Sequence, residues 1–352
     1  MRNKQIDILK GLAIILMVLG HCAPSTHFIY LFNMPLFLIS GGFCFQEKYS
    51  QSKENYISFL KRKVKTIWFP YVIWNVIFLI LNNLFVRINV YGTEKILSKE
   101  QISDSILQCF LFRCETQMGG ALWFLVMYFW VNIIYGTINI VLYQFKVSRK
   151  YCHSLQTVIS LVFLYLGYNC SINGICYSQY MHIVLSCYFL FHLGVLFKNI
   201  KFECSIGLKA TSVIFAYVML KYCNNMGSIA INVNQYENPC FLLTTSVLGW
   251  IMVYGVSYYI EKTKILNKLL CIVGRNTMPI MSLHFLCFKL GNLIFVLMEK
   301  KPISFIKIFP VASSEKYWFV LFTLLGVTLP IGANILYQKV VQQCKKIQCL
   351  QK

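Results

Sequence analysis

Apolar runs of about 17–25 residues recur from one end of this 352-residue chain to the other, and they dictate its fold class. Wound as an α-helix, a run of that length matches a hydrocarbon core of roughly 30 Å. Backbone amides and carbonyls at that depth have no water to bind, so they pair inside a helix or a closed barrel. A barrel would show short segments of alternating hydrophobicity, whereas these runs are continuous. The expected architecture is an all-α polytopic membrane protein. Composition agrees: 57% of residues are apolar, 13% are charged and mean hydropathy is +0.60, against a charged share of about 25% in soluble domains.

Hydropathy places about ten spans, at 6–25, 28–46, 66–86, 120–144, 154–169, 181–197, 208–223, 239–260, 277–298 and 317–338. Asn33, Pro35, Ser40, Gly41 and Gly42 interrupt the second, a pattern tolerated where backbone faces protein or a wet cavity. The fifth and seventh are short, which leaves nine or eleven spans as alternatives. The net charge of +21 is better explained by loop topology than by nucleic acid. With ten spans, 23 of the 33 basic residues fall on the N-terminal side of the bilayer, in Arg2, Lys4 and Lys10, Lys48 to Lys65, Lys146 to Lys150, Lys198 to Lys209, Lys262 to Arg275, and Lys339 onward. The positive-inside rule then predicts both termini in the cytoplasm of a multi-pass plasma-membrane protein. The basic tip resembles a signal peptide, but no small-x-small cleavage site follows convincingly, so the first run is read as a retained span. Without an inverted repeat or a Pro- or Gly/Ser-rich linker, residues 1–352 read as one integral-membrane domain. The fifteen cysteines show no CxxC or zinc-type spacing, so no metal is expected. Cys170 and Cys176 flank a short loop, and a small apolar role is preferred for them over pairing.

The first span carries costly passengers. In IDILKGLAIILMVLGH, Asp7, Lys10 and His21 lie in an apolar run, where a charge at the bilayer centre costs roughly 2.5–3.5 kcal/mol. At about 100° per residue, Lys10 sits 60° back from Asp7, and His21 falls within about 20° of Lys10 once whole turns are removed. All three project from one face, with Lys10 and His21 separated by roughly 16 Å along the axis. Asp7 and Lys10 are spaced to touch as an i,i+3 pair. The stripe has a basic station at the expected cytoplasmic mouth and a deeper imidazole. A cation there suits an anionic substrate, and a neutral imidazole suits proton abstraction from a hydroxyl. The plainer alternative has Asp7 and Lys10 fixing topology at the interface while His21 bonds a neighbouring helix.

Further stretches carry a resemblance. Met34-Pro35-Leu36-Phe37-Leu38-Ile39-Ser40-Gly41-Gly42 resembles the second span of the integral-membrane acyltransferases called acyltransferase family 3. Lys10, ten residues, then His21 is similar to that family's first-span signature of a basic residue, ten others and histidine. KRKVKTIWFPYVIW (Lys61 to Trp74), ALWFL (Ala121 to Leu125), FLFHLGVLFK (Phe189 to Lys198) and GRNTMPIMSLH (Gly274 to His284) resemble its later landmarks in the same order. The departure is Lys10, where much of the family has Arg; Lys lacks the bidentate fork. The resemblance implies transfer of an acyl group, commonly acetyl from acetyl-CoA, to a hydroxyl of a cell-surface glycan or its lipid-linked precursor, with no bound cofactor.

On that reading His21 serves as general base or transient acyl carrier, and Asp7 orients or neutralises Lys10. Lys61, Arg62, Lys63 and Lys65, with Arg275, are placed to receive the donor's phosphates, although each also serves the ordinary positive-inside flank. Asn33 and Ser40 are candidate oxyanion donors, or simply parts of a helix break. Arg113, Glu115 and Trp123 are candidate acceptor contacts, and His284 is either a second pocket group or a packed polar partner. His182 and His192 read as structural, while Lys289 faces either a cavity or the interface. The rival function is a proton-coupled transporter or flippase of a lipid-linked sugar, using the same stripe as a relay. A sensor or scaffold without chemistry is a third possibility.

Overall fold

The computed structural model describes residues 3–92, 95–200 and 205–350, the last six as backbone only. Arg2, Lys201 and Lys352, three of the basic residues weighed above, lie outside the described residues. Helix α1 (Lys4–Gly20) starts on Asn3, whose side chain accepts the Ile6 amide, and ends at His21. A short α2 (His27–Tyr30) precedes α3 (Asn33–Phe43), so the second apolar run is two pieces. Next, α4 (Lys53–Lys63) passes through a π-helical turn at Val64–Trp68 into α5 (Phe69–Ile80), one rod of 28 residues. After α6 (Asn82–Arg87) comes α7 (Lys99–Phe110), opened by a Ser98–Gln101 capping box. The long rods α8 (Trp123–Gln144), α9 (Arg149–Ile172), α10 (Met181–Asn199) and α11 (Ile206–Asn224) follow. A small hairpin, β1 (Ile229–Ala230) with β2 (Gln235–Tyr236), leads to α12 (Pro239–Glu261). The series continues with α13 (Ile265–Arg275), α14 (Thr277–Met298) and α15 (Trp318–Leu350).

All ten apolar runs are therefore helical, and the protein is an all-α polytopic membrane protein. Eight helices among the described residues are long and apolar enough to cross a bilayer; α1, with 17 residues, and α3, with 11, are shorter. The fifth and seventh runs are full-length helices of 24 and 19 residues rather than short ones. Residues 53–65 are helical where the topology count treats them as a loop. Ser52 caps the Asn55 amide, and the Lys, Glu and Arg that lower hydropathy there are good helix formers. At its far end α1 meets the start of α15, with Cys22 Sγ 3.2 Å from Thr323 Oγ1. These two helices run antiparallel, so the described chain ends point to one face. That face is here the Lys10 face, and the opposite one the His21 face.

Helix α1 is the hub. Ile6, Leu9 and Ala13 enter one core with α3, α8, α10 and α12, while Ile14, Met17 and Val18 enter another with α14 and α15. Between apolar helices in lipid, association rests on close packing more than on a hydrophobic gain, and glycines supply that closeness. A Cβ on Gly274 would fall 1.8 Å from the Asp7 carbonyl oxygen, and one on Gly11 2.5 Å from that of Leu270. These two glycines lock α13 against α1. Gly42 and Gly194 make the equivalent crossing of α3 and α10, where added Cβ atoms would sit 1.8 and 1.9 Å from carbonyl oxygens.

Candidate functional site

A cavity of about 1200 Å³ opens along α1 at the edge of the second core, sharing Ile14 and Met17 with it. Lys10, Ile14, Met17 and His21 all stand on its wall. Their spacing of four, three and four residues is that of one helical stripe, so the cavity follows α1 from its basic station to its imidazole.

His21 lies one residue past the helix, with φ −92° and ψ −9°, where α1 hands over to the loop. The Tyr30 hydroxyl donates to the Gly20 carbonyl at 2.5 Å and fixes that turn. The His21 ring stacks on His284 of α14, with centroids 5.3 Å apart and planes at 26°, and meets the Phe285 ring edge-on at 4.9 Å. No hydrogen bond ties either His21 nitrogen among the described residues, so its ring is held by stacking and keeps both nitrogens for chemistry. His284 is fully buried behind it. Its Nδ1 lies 3.1 and 3.0 Å from the carbonyls of Ile280 and Met281, so Nδ1 carries the hydrogen, and Nε2 is left with a lone pair and no partner among the described residues.

At the other end Lys63, Thr66, Thr277 and Tyr128 join Lys10 on the wall. Lys63 Nζ sits 5.3 Å from the Phe59 ring and 5.7 Å from that of Tyr128, a cation–π setting. Two ammonium groups thus serve the same end of the cavity. Among the described carboxylates, Glu115 alone reaches the wall, and it stands at the opposite end.

The His21 end is roofed by irregular backbone. The segment 113–121 is pegged to α5 by two buried residues. The Tyr71 hydroxyl donates to the Cys114 carbonyl at 2.6 Å and accepts the Cys114 amide at 3.2 Å, and Thr116 donates to the Asn75 amide oxygen at 3.1 Å. This presents Glu115, Gln117 and Gly120 to the cavity, where Glu115 accepts a hydrogen bond from the Tyr180 hydroxyl. The Trp123 and Tyr180 rings lie 6.1 Å apart beside them. The hairpin closes another side through Ile229 to Val233, and Asn234 anchors it by accepting from the Ser186 hydroxyl and donating to the Gly167 carbonyl.

The sequence-derived candidates divide accordingly. Lys10, His21, Asn33 and Trp123 stand on the wall, with Asn33 Oδ1 accepting the Met34 amide at 2.7 Å; His284 backs His21. Asp7 is buried off the wall, with Arg275 Nε 3.3 Å from its carboxylate, so Arg275 is engaged by a side chain. Lys61, Arg62 and Lys65 are exposed and off the wall, and Arg62 lies over the Tyr49 ring at 4.5 Å. Ser40 donates to the Leu36 carbonyl at 2.6 Å inside the α3 packing, and Arg113 is exposed outside the cavity. Tyr180, Gln117, Phe285, Phe309 and the hairpin escaped sequence reasoning. Tyr180, Gln117, Phe309 and the hairpin lie near a helix end or in a loop, where no periodicity betrays what they face, and Phe285 sits inside α14, whose largely apolar run does not single it out. His192 is structural, bonded to the hydroxyls of Tyr135 at 3.0 Å and Thr157 at 2.9 Å. Among the described residues no group of three or more His, Cys, Asp or Glu has the proximity of a metal site.

No curated protein and no solved structure matches the chain significantly. A family model described as an acyltransferase domain matches residues 3–337, nearly the whole length. That match covers well over half of the chain, and an all-α membrane fold with a cavity lined by Lys10, Lys63 and His21 agrees with it: the chain belongs to acyltransferase family 3, the integral-membrane acyltransferases.

Proposed function

We propose that this membrane acyltransferase moves an acyl group, acetyl by family default, from cytoplasmic acyl-CoA to a hydroxyl of a cell-surface glycan or its lipid-linked precursor. The observation that carries the reading is the placement of Lys10 and His21 on one wall of one cavity, a helical stripe apart. The donor's phosphates bind at the Lys10 face, where Lys10, Lys63 and the first turn of α14 offer positive charge. Its thioester extends along the cavity toward His21. The acceptor reaches His21 from the opposite face, between the Trp123–Tyr180 rings and the Glu115 carboxylate, a combination suited to a polyol with an apolar sugar face.

His21 takes the proton of the acceptor hydroxyl while that oxygen attacks the thioester carbonyl. The tetrahedral intermediate collapses with loss of the CoA thiolate, and the imidazolium returns the proton to sulfur, leaving an ester and free CoA. General-base assistance of this kind contributes about 10²–10⁴-fold. An acyl-imidazole on His21 gives the same products in two steps. His284, its Nδ1–H committed to carbonyls, acts as a positioning residue that fixes the His21 ring plane.

The test is ester-linked acetyl on the surface glycans of cells lacking this gene, complemented with wild type or His21→Ala at matched membrane levels. Restoration by wild type and not by the variant is the expected result. Restoration by both removes His21 as the base. If wild type changes no surface ester of any acyl group, the acyltransfer reading of the acceptor fails, and transport of a lipid-linked sugar becomes the better account.

A further inference from the structure

Lys289 lies midway along α14, only 4% exposed and off the cavity wall. A cation at that depth has a reason to persist if its donors are matched, and here they are. Nζ lies 3.2, 3.2 and 2.9 Å from the backbone carbonyls of Ile306, Lys307 and Ile308, one acceptor for each of its three N–H bonds. One turn further along α14, Asn292 is fully buried and equally saturated. Its Nδ2 donates to the carbonyls of Ile306 and Ile308 at 3.2 and 2.9 Å, and its Oδ1 accepts the Ala312 amide at 2.8 Å. Two side chains thus hold residues 306–312, the end of a 3₁₀ turn and the irregular backbone after it, with six hydrogen bonds. On the other flank Gly92 packs so closely that a Cβ there would lie 2.9 Å from the Lys307 carbonyl oxygen.

What this strap carries explains why it is held. Phe309 and Pro310 are on the cavity wall. The Phe309 ring lies 4.8 Å from that of Phe285, which in turn meets His284 at 4.0 Å and His21 at 4.9 Å. The strap is therefore an apolar cover lying one ring away from the histidine pair. An activated thioester beside a general base faces two acceptors, the intended hydroxyl and water, and excluding water is what keeps transfer ahead of hydrolysis.

We infer that Lys289 and Asn292 are positioning residues that clamp the 306–312 strap, with Phe309 and Pro310, as a fixed water-excluding cover over the His21–His284 pair. The inference rests on the acyltransfer reading of that site for its consequence, but the clamp itself does not. A loosened cover admits water, His21 removes a water proton, and the thioester is cleaved to a free carboxylic acid and CoA thiol without an acceptor.

The test uses the full chain in lipid nanodiscs, as wild type, Lys289→Met, Asn292→Leu and Phe309→Ala. Phe309→Ala removes the cover and leaves all six clamp hydrogen bonds in place, losing only the ring 5.6 Å from Lys289 Nζ, and so covers the case in which a clamp variant fails to fold. The first readout is carbethoxylation of His21 by diethyl pyrocarbonate, followed by mass spectrometry. It is expected to quicken several-fold in all three variants. The second is release of CoA thiol from acetyl-CoA with no acceptor present, expected to rise several-fold and to vanish when His21→Ala is added. A merely structural role would lower activity without raising this side reaction. Unchanged carbethoxylation in every folded variant overturns the clamp and cover together. Faster carbethoxylation without increased His21-dependent thiol release overturns the water-excluding role. A wild type that adds no surface ester in cells, with the carbethoxylation contrast intact, instead defeats the proposed function and leaves the clamp standing.

Discussion

Lys61 and Lys63 are two residues apart and differ in what each can bind. At about 100° per residue they point some 200° apart around the helix, so only one side of KRKVK can meet the cavity. Lys63 and, three residues on, Thr66 stand on the wall, whereas Lys61, Arg62 and Lys65 are exposed outside it. The motif was legible in the sequence, but its phase was not, because the π-helical turn at Val64–Trp68 shifts the register between the basic stretch and α5. The α1 stripe had no such shift, and its phase read correctly from Lys10 to His21. Lys63→Met is expected to raise the KM for acyl-CoA, and Lys61→Met to leave it unchanged. A charge-assisted contact is worth about 1.5–3 kcal/mol, or roughly 10- to 150-fold. Acyl-CoA saturation curves for the two purified variants check this. Equal effects would return the donor site to the outer basic flank.

Elements meet here through backbone rather than through large side chains. The α13–α1 crossing places the Asp7 carbonyl where a Gly274 Cβ would stand, 1.8 Å away. The same contact brings Arg275 onto Asp7 and holds Lys10 at its end of the cavity. Gly274→Ala should therefore destabilise by about 1–3 kcal/mol, the usual cost of overpacking, and should lower donor affinity by shifting α1. Gly332 in α15 has nothing within 4 Å of an added Cβ, and Gly332→Ala should be neutral or stabilising by roughly 0.5–1 kcal/mol. Thermal unfolding in detergent separates the two; equal melting temperatures would remove the crossing as a determinant of the fold. Hydropathy located all ten apolar runs; eight of them are helices whose length matches the bilayer, while α1 and α3 are shorter. It passed over α4, α7 and the hairpin, whose polar residues resemble loop while their caps and propensities make them ordered.

At the scale of the molecule, the cavity is assembled from pieces far apart in the chain, and this is why so little of it was legible beforehand. The stripe on α1 comes from one apolar run, but its roof is built by 113–121, the hairpin and 306–312, three connecting segments brought together only by the packing of the helices between them. Periodicity says nothing about such meetings. The proposed transfer also makes a demand on topology: if the donor is acyl-CoA, the Lys10 face must be the one where it is made. Basic residues crowd that face, as the positive-inside rule requires of a cytoplasmic side. Two native cysteines can decide it. Cys44 follows α3 on the Lys10 face, and Cys176 follows α9 on the His21 face; both are exposed thiols. In intact cells stripped of any outer barrier, a membrane-impermeant maleimide should label Cys176 and spare Cys44, and permeabilisation should add Cys44. Each site is read by tryptic mass spectrometry against its Cys→Ser variant. Labelling of Cys44 alone would invert the protein and place the lysine end outside. A phosphate-bearing cytoplasmic donor would then meet Glu115 and the aromatic pair instead of the ammonium groups, and the proposed direction of transfer would fail on electrostatics alone.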